Sequence, residues 1–498
     1  MNKHETQEIT FVYPTQARRQ TSIYPPLGIS YLISSLKMHG FQDIKVIDLT
    51  FDEDLAQLRV LNKADKGGIY CISFTSAYRS MTRQIAKMIK DADPMATLIA
   101  GGPHPTIMPE DTLEIPGVDI VVSGEGDYIL PDVVKTVCYG GNLAEIKSIW
   151  FKKDGRIIKA SEEAAKPIVN LDDLPFPSQE GFPVEEYFRR KGFRELCVIA
   201  GRGCPMQCTF CKPTLDKIFG KRLRFRSAVS IVDEIEMIIK KYNLDSFFFA
   251  DDTFTMDENR TIEICNEMIK RKIHTFWRCL STVKLKKETT QLMRKAGCLS
   301  VSFGVESGSP EILRNIKKNV AIEDTIKTFK LCKESGMITW AFLMVGNVGE
   351  TRHTVEMTKE LVKKIRPFGC SVAVTTPIPG TELYEYAKSK NMLTSDEDMD
   401  FDYLFSDSYQ NMLRLPDLTR DEVLSLKRDL EKTAAESMER WRDLLKIACN
   451  YLTIKRVILR MIKNPLFLKI LFVFLVRSTT IKYLNILNPM AGKKREKN

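Results

Sequence analysis

At 498 residues the chain is long enough for two or three domains, and its apolar share of 44% is that of an ordinary globular protein. The formal charge of +10 is unevenly placed: residues 444–495 hold eleven Lys and Arg and no Asp or Glu, which leaves the rest near neutral. A charge confined to a tail argues against a nucleic-acid-binding body. Twelve scattered cysteines, with no apolar leader at the N-terminus, predict a reducing, cytoplasmic setting.

Residues 8–14 (EITFVYP) read as a short apolar strand, and 27–39 as a helix that Gly40 stops. Strands are predicted at 44–49, 68–75, 97–100 and 119–123, with a helix from Ser80 to about Ala92. Short apolar strands alternating with helices predict a doubly wound parallel sheet. Small and glycine-rich residues follow strand after strand: Ser73, Thr75 and Ser76, then Gly101 and Gly102, then Gly124 and Gly126. In such sheets ligands lie outside the carboxyl ends of the strands, where glycines admit close backbone approach. Tight βα turns are the alternative, because short glycine patterns are weak signals by themselves. Residues 149–158 read as a hairpin turning at Asp154-Gly155. The Pro- and Asp-rich stretch 171–178 then reads as an extended spacer.

The stretch Gly201–Pro213 (GRGCPMQCTFCKP) carries Cys204, Cys208 and Cys211 in C-x3-C-x2-C spacing, edged by glycines and prolines. Cubic iron–sulfur clusters normally take four thiolates, so three from one loop leave an iron open for chemistry. Phe210 is placed to pack over such a cluster. A zinc site with Cys197 as fourth ligand is the alternative, although no second C-x2-C pair exists to complete it.

This loop resembles that of the radical S-adenosylmethionine (SAM) enzymes. The resemblance implies that SAM chelates the fourth iron and is cleaved reductively to a 5′-deoxyadenosyl radical. Tyr24-Pro-Pro-Leu-Gly28, the GGPHPT turn from Gly101 and the GEGD turn from Gly124, placed ahead of such a loop, resemble the cobalamin-binding domain of the cobalamin-dependent branch. That resemblance covers most of residues 8–145. It implies cobalamin contacts at Ser73, Thr75, Gly101, Gly102, Gly124 and Glu125. None of the five histidines lies in a D-x-H-x-x-G pattern, so the resemblance implies a base-off corrinoid without a histidine ligand.

Beyond the loop, strands are predicted at 196–200, 246–250, 274–280, 299–304, 339–345 and 370–375, separated by helices. Six β/α units are too few to close an eight-fold barrel and match the open six-unit barrel of the radical SAM enzymes. Asp251-Asp252 and Glu306-Ser307 end strands, and the resemblance makes them SAM contacts. Two adjacent carboxylates would repel if buried together, so solvation or a bound cation is expected there. Arg226-Ser227 also resembles a stretch found after the cluster in the cobalamin branch. In Gly346–Glu350, Asn347-Val348 stands where relatives often carry a proline between the glycines.

Thr419–Ala448 reads as a long amphipathic helix with Thr419 and Asp421 as start signals. Residues 454–463 and the apolar run 465–476 read as basic and amphipathic. The run is too short to span a bilayer; it fits the headgroup region or a helix capping the barrel. The expected organisation is a cobalamin-binding domain (1–147), a linker (148–193), a radical SAM core (194–410) and a helical basic region (411–498). The expected activity is methyl transfer to an unactivated carbon of a lipid-like or other small-molecule substrate. It would use a 4Fe-4S cluster, SAM, cobalamin and an electron donor such as ferredoxin or flavodoxin. Peripheral membrane contact is expected through residues 450–495, and no nucleic acid. A cobalamin-linked radical cyclase or oxidative enzyme, and a non-catalytic metal-bearing scaffold, are the alternatives.

Overall fold

The structure is a computed structural model that describes residues 8–15, 23–52, 55–59, 67–393 and 413–437. It is α/β, with two parallel sheets and their helices. The first sheet holds β1 (Ile9–Tyr13), β2 (Ile44–Asp48), β3 (Ile69–Ser73), β4 (Thr97–Gly101), β5 (Ile120–Val122), β6 (Ile149–Lys153) and β7 (Arg156–Lys159), in the order β2-β1-β3-β4-β5-β6-β7. β1 to β5 are parallel, and β6 and β7 add on antiparallel. Both faces are apolar because both are covered. Phe11, Cys71 and Ile99 pack with residues of the helices Leu27–Met38 and Gly126–Tyr139, while Val12, Ile72 and Leu98 pack with those of Arg79–Ala92. The strand order reverses between β1 and β3, which opens a crevice at their carboxyl ends.

The second sheet holds β8 (Glu195–Val198), β11 (Ser246–Phe249), β12 (Phe276–Ser281), β13 (Cys298–Glu306), β14 (Ile338–Val345) and β15 (Gly369–Val374). All six are parallel and follow one another in sequence order. Two short strands, β9 (Gly201–Arg202) and β10 (Arg224–Phe225), form a separate antiparallel pair that the sequence does not announce. Side chains alternate along the six strands. Trp277, Cys279, Val301, Phe303, Ala341 and Leu343 are buried among apolar helix residues. Their neighbours Arg278, Leu280, Ser302, Trp340 and Phe342 remain partly open on the inner face. The inner face is therefore a lumen and not a packed core.

Two expectations change. The hairpin assigned to the linker is the antiparallel edge of the first sheet, with Asp154 and Gly155 at positive φ in its turn. The stretch that follows is no free spacer. Ser34 Oγ donates to the Phe176 carbonyl at 2.7 Å, Ser178 N to the Ser30 carbonyl at 3.0 Å, and Tyr187 OH to Asp48 at 2.7 Å. These bonds to the helix Leu27–Met38 and to β2 hold it against the first domain. At the far end, the helix Arg420–Ser437 buries Val423, Leu426, Leu430 and Ala434. Thr419 and Glu422 cap it reciprocally, by Glu422 N to Thr419 Oγ1 and Thr419 N to Glu422 Oε2. The expected continuation to Ala448 and the basic, apolar tail lie outside the described residues. No described helix is long and apolar enough to cross a membrane.

Candidate cofactor sites

The cysteine loop leaves β9 and is clamped by backbone bonds. Cys211 N and Lys212 N donate to the Cys208 carbonyl at 3.0 and 2.9 Å, and Thr209 N donates to the Ile316 carbonyl at 3.1 Å. Lys212 Nζ donates to the Cys204 carbonyl at 2.6 Å. Gly201 has to be glycine here, since a Cβ would stand 2.7 Å from the Arg224 carbonyl oxygen across the β9–β10 pair.

The loop brings Cys204, Cys208 and Cys211 onto one cavity of about 210 Å³. Phe210, Asp252, Glu306, Lys318 and Phe342 also line it. Burial pushes all three thiols up, Cys211 to about 12, with the neighbouring thiols and the carboxylates of Glu306 and Asp252 adding to the effect. Such thiols ligate once a metal's positive charge displaces their protons. Three converging sulfurs in a partly apolar chamber fit a cluster with one open iron. Among the described residues no three His, Cys, Asp or Glu side chains are placed to hold a single metal ion. Cys197 does not line the cavity; its charged neighbours are Lys191, Glu195 and Arg278. The zinc reading therefore lacks its proposed fourth ligand.

The expected SAM residues divide. Glu306, at a positive φ of 61° that costs a non-glycine residue energy, faces the cavity and pairs with Lys318 at 2.7 Å. Gly304 makes room for this pair, because a Cβ would meet both partners within 2.6 Å. Ser307 is fully buried, bonds Thr358 and accepts from Ser309 N, and does not line the cavity. Asp251 and Asp252 both line a larger cavity, and only Asp252 also lines this one. Asp251 is buried, takes the Ala200 N–H on its two oxygens at 3.1 and 2.9 Å, and is raised to about 6 by burial. Asp252 opens onto the cavity, and burial raises it while Lys212 opposes.

A second, larger cavity of about 480 Å³ lies between the two sheets. Ser73, Gly101, Gly102, Gly124 and Glu125 line it from the first sheet's turns, with Leu27, Gly28 and Leu32 beside them. Gly201, Gly203, Phe219 and Asp252 line it from the other side. Gly102 has φ 95°, and a Cβ there would lie 2.7 Å from Ser73 Oγ, so the turn is shaped by glycine. At Gly28 a Cβ would meet nothing within 4 Å. A broad, largely apolar slot floored by backbone suits a large flat ligand such as a corrinoid. Thr75 is exposed and stands outside the lining. His104 is fully buried, with its ring nitrogens against Ser76 Oγ at 2.9 Å and Asp111 at 3.0 Å.

Glu125 meets this cavity, but its carboxylate is engaged elsewhere. Arg202 donates to it at 2.9 Å, Arg224 at 2.8 and 3.0 Å, and Ile168 N at 3.0 Å. Arg202 also grips Asp127 at 2.7 and 3.0 Å. This buried clasp ties the GEGD turn to β9, immediately before the cysteines, and to β10, which follows them. Arg226 is likewise buried in an ion pair with Glu234, and Ser227 caps the helix Ala228–Tyr242. Lys212, Lys318, Arg202 and Arg224 were not singled out from the sequence. Only Lys212, next to Cys211, carried a local signal.

Residues 198–362 match the family model of the radical SAM superfamily, and residues 18–134 that of the B12 binding domain. An uncharacterized methyltransferase of Pyrococcus horikoshii is 33% identical over 378 residues, 74% of this chain and 80% of that protein. The anaerobic magnesium-protoporphyrin IX monomethyl ester cyclase of Rubrivivax gelatinosus is 28% identical over 392 residues, 76% of this chain and 69% of that one. The solved radical SAM methyltransferase TsrM from Kitasatospora setae, with cobalamin and a [4Fe-4S] cluster bound, shares the fold at TM-score 0.72 and 19% identity, covering 85% of this chain and 91% of its own. Together the two sheets and their cavities define an enzyme that pairs a corrinoid domain with a radical SAM core. The chain belongs to the cobalamin-dependent radical SAM enzymes, whose cofactors are a 4Fe-4S cluster, SAM and cobalamin.

Proposed function

We propose that the protein transfers a methyl group to an unactivated carbon of a lipid-like substrate. The observation that carries this reading is that the two cavities share Asp252 as lining. A corrinoid in the larger and SAM in the smaller would stand side by side. Bound in these places, the cluster supplies the electron for SAM cleavage and the corrinoid supplies the methyl group.

The chain's own residues prepare both places. Cys204, Cys208 and Cys211 would hold the iron. Asp252 and Glu306 line the same chamber and offer carboxylates to the polar end of SAM. Asp251 and Ser307 support that chamber from behind, through Ala200 N and Ser309 N. Ser73, Gly101, Gly102 and Gly124 shape the corrinoid slot. On the lumen side, β14 presents Trp340, Phe342 and Met344, and Phe342 is 38% exposed. An exposed aromatic wall beside the cysteine chamber suits an apolar substrate. The basic, apolar composition of residues 450–495 supports peripheral contact with anionic lipid. An electron carrier of the ferredoxin or flavodoxin kind would reduce the cluster.

The test is anaerobic reconstitution with iron, sulfide and hydroxocobalamin, followed by incubation with reductant, methyl-labelled SAM and a lipid extract. The expected product is heavier by one CH2 and carries the label. A product lighter by two hydrogens, with no label transferred, would favour the radical cyclase reading, which the Rubrivivax relative supports.

A further inference from the structure

We propose that the lumen carries a substrate subsite for a single anionic group, a carboxylate or phosphate, built on Arg278. The enzyme's substrate would then be an anionic amphiphile. This deepens the reading above and rests on it.

The strand register places the residues. Cys197 pairs with Phe248, Phe248 with Arg278 and Arg278 with Ser300, so these share one layer across the lumen face. Leu280 and Ser302, which line the cysteine chamber, stand two residues further along the same strands. At about 3.3 Å per residue, Arg278 lies roughly 7 Å deeper than that chamber's wall. Two strands away in the sheet, about 9–10 Å, Ile338 of β14 shares this layer, and Trp340 and Phe342 follow one and two layers nearer the cysteine chamber. Between them β13 presents only Ser300, Ser302 and Gly304, which leaves the space open.

Arg278 is held ready. Its guanidinium stacks on Phe248, with Cζ 3.9 Å from the ring centroid. Nε donates to Glu195 at 3.2 Å and Nη2 at 3.1 Å, and Nη2 also reaches Tyr24 OH. Nη1 has no hydrogen-bond partner among the described residues, and the side chain is 32% exposed. Glu195 does not neutralise its surroundings, because Lys191 pairs with the same carboxylate at 3.4 Å and both of these side chains are buried. On the lumen-facing positions of the six strands Glu195 is the one carboxylate below Glu306. Two cations against one anion leave a positive charge and a free donor, Nη1, on a guanidinium already held in place. This is what a buried anion requires. Trp340 and Phe342, nearer the chamber along the same face, would take an apolar body.

The experiment uses the reconstituted holoenzyme with SAM, and follows displacement of 1-pyrenebutyrate fluorescence by dodecanoate, dodecyl phosphate and dodecanol. At least one anion should compete about tenfold better than the alcohol, the size of one charge-assisted hydrogen bond. Whichever anion wins identifies the headgroup chemistry. Arg278→Met should abolish the preference, Arg278→Lys should keep part of it, and Phe342→Ala should weaken all three competitors alike. If removal of one charge unfolds the protein, the paired change Glu195→Gln with Arg278→Met removes both and should show the same loss. Equal competition by anion and alcohol in the native protein, or a preference that survives Arg278→Met, overturns the proposal. Iron content and reductive SAM cleavage, measured on the same preparations, report on the cofactor reading separately.

Discussion

The larger cavity is lined by glycine turns and apolar side chains and the smaller one by thiols and charged groups as well, although Asp252 lines both. In the larger, Gly102 and Gly124 turn at positive φ, and at Gly102 a Cβ would crowd Ser73 and Phe74. In the smaller, three thiols and the Glu306–Lys318 pair face inward. A flat ligand that fills area needs a smooth wall. A metal cluster needs directed ligands at fixed spacing. The buried clasp of Glu125 and Asp127 with Arg202 and Arg224 joins the two walls, so a break at the clasp should reach the larger cavity.

The sharpest break in this comparison comes from the ligands. Replacing Cys204, Cys208 or Cys211 with Ala should bring reductive SAM cleavage to background and lower bound iron, while corrinoid binding, read from absorbance after gel filtration, persists. Loss of both cofactors together would mean that the walls are not separately built.

Arg202→Gln tests the joint. It strands Asp127 and part of Glu125, and breaking a buried pair costs about 3–5 kcal/mol, read as a fall in the urea midpoint. Corrinoid retention should drop as the wall opens. Adding Asp127→Asn should restore part of the stability, because the stranded charge is then gone.

Asp251 offers a pH test of the shared wall. Its folded pKa is raised from 3.8 to about 6 by burial. The folded state therefore holds a proton that the unfolded chain releases, and the stabilisation is present below about pH 4 and lost as pH rises through about 6. The span is at most about 3 kcal/mol. Asp251→Asn should flatten the stability profile between pH 4 and 6; an unchanged slope would assign it to another group.

Gly102→Ala should cost about 1–3 kcal/mol through its backbone conformation and weaken corrinoid binding, leaving iron content as it was. The smallest effect belongs to Cys197→Ala. Iron content should match the native protein, since Cys197 stands outside the cysteine chamber.

Much of the smaller cavity was legible in the sequence because its ligands are covalent neighbours. Cys204, Cys208 and Cys211 fall within one loop, and spacing over such a distance constrains geometry whatever the rest of the chain does. The six strands of the second sheet were also legible, since apolar runs and helical periodicity are local properties. The larger cavity was visible only as glycine-rich turns, for a glycine records the absence of a side chain and not what approaches it.

Other features depended on partners far away in sequence. Glu125 looked like a ligand residue until its carboxylate met Arg202 and Arg224, 77 and 99 residues on. Thr75 followed a strand, as binding residues do, yet it turns to solvent. Asp251 and Asp252 read as one pair, but Asp251 holds a backbone amide and lines only the larger chamber while Asp252 opens onto both. The amino-acid sequence by itself determined the cysteine loop, the alternation of strands and helices and the charge of the tail, because each arises from neighbours in the chain. Only the tertiary structure decided which turns line a cavity, which carboxylates are already paired and that Arg278 faces the lumen, because burial and pairing are set by segments that meet only when the chain has folded.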